Sequence, residues 1–142
     1  MTETEHKHIF ENWLALHKAL IFKVVRAYAF TTMERDDLFQ EITIQVWRSI
    51  PSFRRESAVT TWIYRVALNT AISWIRKERK YNCAEALENA SHILQENDKP
   101  IDEQLAWLYE EISRLNEIDR SIVLLMLDGF SYKEMSGIVG IT

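Results

Sequence analysis

The 142-residue sequence contains only one cysteine, three glycines and two prolines. The single cysteine, Cys83, excludes an internal disulfide framework, and nothing in the sequence suggests export. So few turn-forming residues argue against a β-sandwich or barrel, which needs frequent turns, and require long regular elements instead. Because 47% of the residues are hydrophobic, the chain can build a packed core. These features predict an all-α protein.

Long apolar runs and targeting segments are also missing. Apolar runs such as Ile122–Leu127 are far too short to span a bilayer. The N-terminal segment Met1–His8 is polar and charged, with no hydrophobic core of a signal peptide. We therefore expect a cytoplasmic protein without membrane insertion.

Residues that could support catalysis or metal binding are sparse. His6 and His8 are predicted to lie in a polar tail, and with His17 and His92 they show no zinc-site spacing. The sequence has no nucleophile elbow, P-loop or glycine-rich phosphate loop. Cys83 is better explained as an incidental thiol than as a nucleophile. We expect no enzyme activity, no cofactor and no catalytic or metal-binding residues.

The net charge of −4 conceals an uneven distribution of charge. Residues 1–52 carry six Lys or Arg against seven Asp or Glu, a net of −1. Residues 53–80 carry seven against two, a net of +5, and residues 81–142 carry four against twelve, a net of −8. One surface can therefore attract a polyanion while another repels it or meets a basic partner.

Amphipathic periodicity predicts two helices before the basic segment. Apolar residues recur at steps of three and four over Ile9–Tyr28, which indicates the first helix. Thr31 and Glu34 have capping-box spacing and open a second helix, which Pro51 closes. The inward residues are predicted to be Ile9, Trp13, Leu16, Leu20, Val24 and Tyr28 in the first helix, and Leu38, Ile42 and Val46 in the second.

The basic segment coincides with a predicted third helix. Ser57 can cap this helix, which runs for roughly six turns to about Lys80. At 100° per residue, Arg65, Asn69 and Arg76 fall on one face together with Lys80. Such a face can neutralise phosphates and hydrogen-bond a base edge. A solvated helix whose C-terminal cations complement the macrodipole has the same pattern, so the residues alone leave both interpretations open.

The second helix begins with a cluster of acidic residues. Glu34, Asp36 and Asp37 lie in or near its first turn, and Gln40 and Glu41 follow. Acidic residues there are favourable with the helix dipole by roughly a few tenths of a kcal/mol. The same residues can form a docking edge for a basic partner. Taken alone, they favour the first explanation.

The C-terminal part has its own helical pattern. Residues 82–100 are polar and acidic toward their end, and we interpret them as a linker. Apolar residues over Ile101–Leu115 step by four and three, which predicts a helix. Asn116 and Asp119 open another helix, which ends at Asp128 with Gly129 as the residue after the cap.

A short capped helix follows this pair. Ser131 and Glu134 form a capping box, and Gly140 ends the helix. A preceding helix, a short capped helix and a glycine at the turn are typical of the first half of a helix-turn-helix. Thr142 stands where the cap of the recognition helix is expected.

Three blocks of residues follow one another in a distinctive order and spacing. They are Asp36–Glu41 with Val46–Arg48, then Phe53-Arg54 with Thr60–Ala67, Asn69, Ala71-Ile72 and Arg76-Lys77, and finally Leu115-Asn116 with Arg120 and Leu127–Met135. In order and spacing they resemble region 2.2, regions 2.3 and 2.4, and the start of region 4 in the sigma-70 family of bacterial RNA polymerase sigma factors. The short linker without an intervening domain points to the extracytoplasmic-function (ECF) branch. The resemblance covers roughly residues 8–80 and 101–142.

This resemblance implies a sigma factor that binds core RNA polymerase and directs promoter −10 recognition and transcription initiation. It implies that Asp37, Gln40 and Glu41 dock on the β′ clamp helices, with Trp47 fixing their helix. The loop Pro51–Ser57 is expected to help hold a base flipped out of the melted −10 element. The residues implied to bind DNA are Phe53, Arg54, Arg55, Ser57, Trp62, Arg65, Asn69, Arg76, Lys77 and Lys80.

The resemblance also implies a domain organisation and further partners. Residues 1–81 are expected to form a three-helix region 2 bundle, residues 82–100 a linker, and residues 101–142 a partial region 4. The further partners are the β flap of the polymerase and an anti-sigma factor. The acidic linker is expected to thread through polymerase channels that normally carry nucleic acid, because its negative charge suits a basic lining.

The sequence departs from the family pattern in two places. Glu56–Thr61 lacks the aromatic cluster that primary sigma factors use for strand opening, so we expect a stricter promoter requirement. The second helix of the helix-turn-helix is absent, so this chain is not expected to read a −35 element, and we expect the natural protein to continue past Thr142. The alternative function is a helical protein-interaction module without DNA contact.

Overall fold

The computed structural model describes residues 1–81 and 102–140, and the side chains of residues 78–81 are outside this description. The predicted linker, Cys83, His92 and Thr142 lie outside the described residues. In the described ranges the chain is all-α, as predicted, with no strand. The elements are α1 (Glu3–Tyr28), α2 (Thr32–Ser49), a 3-10 turn (Ile50–Ser52), α3 (Val59–Tyr81), α4 (Glu103–Ser113), α5 (Glu117–Leu127) and α6 (Tyr132–Val139).

The first three helices pack pairwise against one another around a shared apolar core. The predicted inward residues of α2, Leu38, Ile42 and Val46, are all buried. Each fully buried aliphatic side chain of this kind contributes about 1.5–3 kcal/mol of transfer free energy. They pack with buried residues of the neighbouring helices, which include Ile21, Val24, Val25, Ile63, Tyr64 and Leu68.

Helix α1 differs from the prediction at its N-terminus. The segment expected to be a polar tail is helical from Glu3, because Thr2 and Glu5 form a capping box. His6 lies in this helix, and its ring stacks on Trp47 with 3.7 Å between ring centroids. The Nε2–H of His6 donates to the Trp47 carbonyl oxygen at 2.7 Å. These contacts attach the first turns of α1 to the end of α2.

The predicted apolar stripe of α1 is wrong at Leu16, which is 68% exposed. The buried face of the helix is centred on Ile21, Val24 and Tyr28. At 100° per residue, Leu16 lies roughly 100° around the helix from the centre of that face. Leu16 satisfies the spacing with its sequence neighbours, yet it lies outside the arc that α2 and α3 cover.

Most of the other predicted helix boundaries are confirmed, but the start of α3 differs. The Thr31 hydroxyl accepts from the Glu34 amide at 3.1 Å, so Thr31 caps α2. The predicted Ser57 cap is wrong, because α3 begins at Val59 and the first turn bonds to the carbonyl of Ala58. Ser57 remains part of the exposed loop before α3.

The caps of the C-terminal helices follow the sequence. Asn116 caps α5, and Ser131 and Glu134 form the capping box of α6. Gly129 and Gly140 have φ angles of 83° and 80°, the left-handed conformation that a helix terminus needs and that glycine adopts without strain.

The C-terminal helices pack against the N-terminal bundle, and Arg120 lies at one of these contacts. This side chain is only 3% exposed, and its guanidinium lies 4.9 Å from the centre of the Tyr28 ring. It donates to the carbonyl oxygens of Ala27 at 3.2 Å and of Ser113 and Leu115 at 2.9 Å. One buried cation therefore joins α1, the end of α4 and α5.

Candidate nucleic-acid interface

The basic face predicted on α3 lies on the protein surface. Arg65, Asn69, Arg76 and Lys77 are all exposed. The side chain of Lys80 lies outside the described residues. At 100° per residue, Arg65, Asn69 and Arg76 lie within about 40° of one another in one row, and Lys77 lies roughly 100° further around the helix than Arg76. This arrangement can meet successive phosphates of a nucleic acid strand.

The opposite face of α3 holds this row in position. Ile63 and Trp74 are buried against the bundle. The indole N–H of Trp74 donates to Oδ2 of Asp37 at 3.0 Å. Asp37 was predicted to dock a partner, so a hydrogen bond joins the predicted docking edge of α2 to the predicted DNA-binding helix.

The aromatic residues predicted to contact DNA take part in packing. The rings of Phe53 and Trp62 lie 5.5 Å apart, and Phe53 meets Trp13 edge-on at 5.2 Å. The indole N–H of Trp62 donates to the Ser49 hydroxyl at 3.1 Å. Both Phe53 and Trp62 are half-buried. The two rings therefore pack beneath the loop, and only part of each ring is exposed to solvent.

The loop before α3 carries exposed cations. Arg54, Arg55 and Ser57 are exposed, and Arg55 has a φ of 60°. Residues other than glycine rarely adopt this left-handed conformation, and such positions cluster at functional sites. The loop borders a cavity of about 500 Å³ whose other walls include α1 and the 3-10 turn.

The predicted docking residues lie on the exposed side of α2. Asp37 and Gln40 are exposed, and Glu41 is half-buried. Trp47 is half-buried beneath the start of α1, where it meets Phe10 edge-on at 5.1 Å. Its position suits the predicted role of fixing α2, since the ring is held by α1.

A second cleft, of about 330 Å³, lies between α2 and α3. It brings Glu41 of the docking edge together with Asn69 of the basic face and with Lys77 of α3. Gln45, which the sequence interpretation missed, also lines this cleft. Its position four residues after Glu41 on the same helix face is the signal that could have identified it.

The acidic C-terminal helices meet the basic face at two places. Glu117 Oε1 lies 3.1 Å from Arg76 Nε, and the Glu117 carbonyl oxygen accepts from the Tyr28 hydroxyl at 2.7 Å. A further cleft, of about 420 Å³, is lined by Arg65 of α3 and Glu134 of α6. The negative C-terminal part therefore lies beside the cations predicted to bind phosphates.

Asp128, at the end of α5, forms another link to the bundle. Its Oδ1 lies 2.5 Å from the Lys23 ammonium, and its Oδ2 accepts from the Tyr64 hydroxyl. Burial, together with the neighbouring Asp128 carboxylate, raises the pKa of Tyr64 well above its usual range. Tyr64 therefore stays protonated and acts as a donor at physiological pH.

Neither metal ligation nor membrane insertion is indicated by the described part of the chain. Among residues 1–81 and 102–140, no group of three or more His, Cys, Asp or Glu side chains is placed to hold a metal ion. No helix described there has the length and apolar character needed to cross a membrane.

Comparison with known proteins identifies this architecture. Residues 13–81 match the model of Sigma-70 region 2. The chain is 36% identical over 117 residues to the ECF RNA polymerase sigma-E factor of Haemophilus influenzae, covering 72% of this chain and 61% of that protein. It is 29% identical over 111 residues to the RNA polymerase sigma factor YlaC of Bacillus subtilis, covering 73% and 64%.

A third relative covers nearly the whole chain. The RNA polymerase sigma-H factor of Pseudomonas aeruginosa is 26% identical over 146 residues, covering 94% of this chain and 76% of that protein. The chain thus spans about 61–64% of the length of the first two relatives. On the match to region 2 and the similarity to these relatives, the chain belongs to the sigma-70 family, in its extracytoplasmic-function branch.

Proposed function

We propose that this chain is a promoter-specificity subunit of RNA polymerase and acts in transcription initiation. In this proposal α2 docks on core RNA polymerase, while α3 and the loop before it bind the melted −10 element. The observation that carries the proposal is the exposed row of Arg65, Asn69 and Arg76 on α3, with Lys77 exposed beside it. This row lies on the same bundle as the docking edge.

The row combines two kinds of DNA contact. Arg65, Arg76 and Lys77 can neutralise phosphates, which contributes affinity without sequence preference and makes binding sensitive to salt. Asn69 lies among them and can hydrogen-bond a base edge, which contributes specificity. The net charge of +5 over residues 53–80 attracts the negatively charged strand, whereas the rest of the chain is acidic.

The loop supplies a place for an unpaired base. The cavity at the loop is about 500 Å³, within the range of small-ligand sites. Phe53 and Trp62 support the loop from behind, because their rings pack on Trp13 and on each other. Arg54 and Arg55 are exposed on the loop, where they can contact the phosphates on either side of a captured base.

The docking edge suits a basic partner surface. Asp37 and Gln40 are exposed with Glu41 beside them, which offers acceptors to the cations of such a surface. The hydrogen bond between Asp37 and Trp74 holds this edge in a fixed relation to α3. Docking on the β′ clamp helices would therefore orient the reading face as well.

The C-terminal helices would have a separate role. We assign residues 102–140 to the start of region 4, whose expected partner on the polymerase is the β flap. Contacts with the β flap, passage of the linker through the polymerase, and control by an anti-sigma factor stay predictions from the family resemblance.

Co-purification with core RNA polymerase tests the proposal. The intact chain should form a complex, and Gln40→Lys should weaken it because it places a cation against a basic surface. Gln104→Lys, the same change at an exposed position of α4, serves as the matched control and should bind normally. Failure of the unmodified chain to bind polymerase, even weakly at low salt, would overturn the proposal.

A second measurement separates this function from the alternative. A complex that also captures a −10-like single strand supports the sigma-factor role. A complex that forms but never captures single-stranded DNA would favour a protein-interaction module without DNA contact.

A further inference from the structure

One wall of the cavity beside the loop lies outside the part of the chain that matches Sigma-70 region 2. His8 and Asn12 lie one turn apart on α1, and both line the cavity. The match to Sigma-70 region 2 begins at residue 13, so both positions precede it. The loop supplies Arg55 and Ser57 to another side of the cavity.

Asn12 is equipped to read a hydrogen-bonding edge. Its amide offers two donors and a carbonyl acceptor. Asn12 is exposed, and no hydrogen bond to another described residue occupies its side chain. A polar group with both kinds of hydrogen-bonding atom at the rim of a cavity is suited to select among ligands of similar shape.

Much of the remaining lining is apolar. Trp13, Ile50 and Phe53 contribute to it, and the rings of Trp13 and Phe53 meet edge-on. A nucleobase has apolar faces that fit such a lining and a polar edge that requires a partner. The exposed cations of the loop, Arg54 and Arg55, can hold the phosphates of the same nucleotide and its neighbour.

We propose that Asn12, on α1, reads the hydrogen-bonding edge of the unpaired nucleobase that this cavity holds. This inference rests on the proposed function, since it requires that the loop captures a base from the melted strand. It assigns a role in base specificity to a residue of α1, whereas the proposed function uses only residues of α3 and of the loop before it. Asn12 and Asn69 would then read different positions of the strand.

The experiment measures base preference position by position. The intact chain is assembled with core RNA polymerase and incubated with a single-stranded DNA library that contains ten randomised nucleotides. Sequencing of the bound strands gives the preference at each position. Asn12→Ala should remove a preference of about tenfold at one position and leave the other positions unchanged.

Two further variants sharpen the result. Asn12→Asp keeps an acceptor and loses the donors, so the preference at that position should shift toward bases that present an amino group. Glu11→Gln changes the neighbouring exposed residue, which does not line the cavity, and should leave every preference unchanged. Because both positions are exposed, the variants should keep the helical circular dichroism of the unmodified chain.

The outcomes distinguish the inference from the proposed function. If the unmodified chain binds and selects bases but Asn12→Ala alters no position, or lowers affinity uniformly, the role of Asn12 is wrong while the sigma-factor function stands. If the unmodified chain captures no strand, the proposed function and this inference both fail. Loss of one preference, with the rest intact, supports both.

Discussion

The Nε of Arg76 lies 3.1 Å from Oε1 of Glu117, so a cation predicted to bind DNA is held by a carboxylate of the C-terminal helices. The Arg76 side chain is 59% exposed and the Glu117 side chain 14%. An ion pair with one exposed partner contributes about 1 kcal/mol at most. The pair is weak enough for a DNA phosphate to replace the carboxylate.

Removal of this carboxylate should strengthen DNA binding. We expect Glu117→Gln to raise the affinity for a −10-like single strand up to about fivefold at low salt. The reason is that Arg76 can then bind a DNA phosphate without first losing its ion pair with the Glu117 carboxylate. Fluorescence anisotropy over a salt series measures the change, which should shrink as salt screens the charges. Glu110→Gln is the matched control, since Glu110 pairs with Arg114 on α4. Equal gains from both variants would contradict a specific effect on Arg76.

Two residues of the α3 row should differ in what they contribute. Asn69→Ala should reduce discrimination among related single strands, because an amide reads base edges. Arg76→Ala should lower affinity about equally for all sequences and reduce the salt slope by about one, because a guanidinium contacts phosphates. Binding titrations with a small set of oligonucleotides measure both effects. Equal losses from both variants across all sequences would contradict direct readout by Asn69.

The two partners of the hydrogen bond between Trp74 and Asp37 should affect different properties, the stability of the bundle and its docking on polymerase. Asp37→Asn retains an oxygen acceptor for the indole N–H, so the free energy of unfolding should change little while polymerase binding weakens. Trp74→Phe removes the donor and part of a buried ring, so it should destabilise the bundle by about 1–3 kcal/mol. Urea denaturation and polymerase co-purification measure the two properties. Equal destabilisation by both variants would contradict this division.

Arg120 should govern attachment of the C-terminal helices. Replacement by methionine leaves three backbone carbonyls without their donor, which should cost about 3 kcal/mol or more. Hydrogen exchange should accelerate over residues 102–140 and remain slow in the core of α1–α3. Arg114→Met removes an exposed arginine and should change little. Unchanged protection after Arg120→Met would contradict the role of this residue.

Alkaline pH should destabilise the protein through its buried tyrosines. Burial raises the pKa of Tyr64, and of Tyr28, above the ordinary value of 10. The folded chain then holds the phenol proton more tightly than the unfolded chain, so this contribution is fully present below pH 10 and declines as pH rises above it. Urea denaturation at pH 7 and at pH 11 should show the decline.

A pair of tyrosine variants tests the source of this pH dependence. Tyr64→Phe should lower stability at pH 7 by about 1–2 kcal/mol, because the hydrogen bond to Asp128 is lost, and should also reduce the decline above pH 10. Tyr132→Phe changes an exposed tyrosine and should preserve the full decline. A decline that is the same in both variants would assign it to other groups.

Local features of this protein could be predicted from neighbouring residues alone. The caps at Thr31, Asn116 and Ser131 each involve side chains and amides two or three positions apart, so the sequence contains the whole interaction. The exposed row on α3 likewise follows from helical periodicity. The family followed from the order of its motifs, and the comparisons confirm it.

The features that the sequence did not reveal depend on contacts between distant segments. Leu16 has the spacing of a core residue, but the position of α2 and α3 leaves it exposed. His6 meets Trp47, 41 positions away, and Lys23 meets Asp128, 105 positions away. Periodicity specifies which side of a helix is apolar, whereas only packing decides which helix covers it.

The candidate site shows the same division. The sequence by itself determined the helical class, most of the caps and the basic segment over residues 53–80, and it predicted the residues that meet DNA and polymerase. The tertiary structure decided that Arg76 faces Glu117, that Trp62 packs behind the loop, and that Asn12 lines the cavity beside it. The reason is physical: helix formation depends on neighbours within about one turn, whereas a site is assembled from side chains that folding brings together from separate helices.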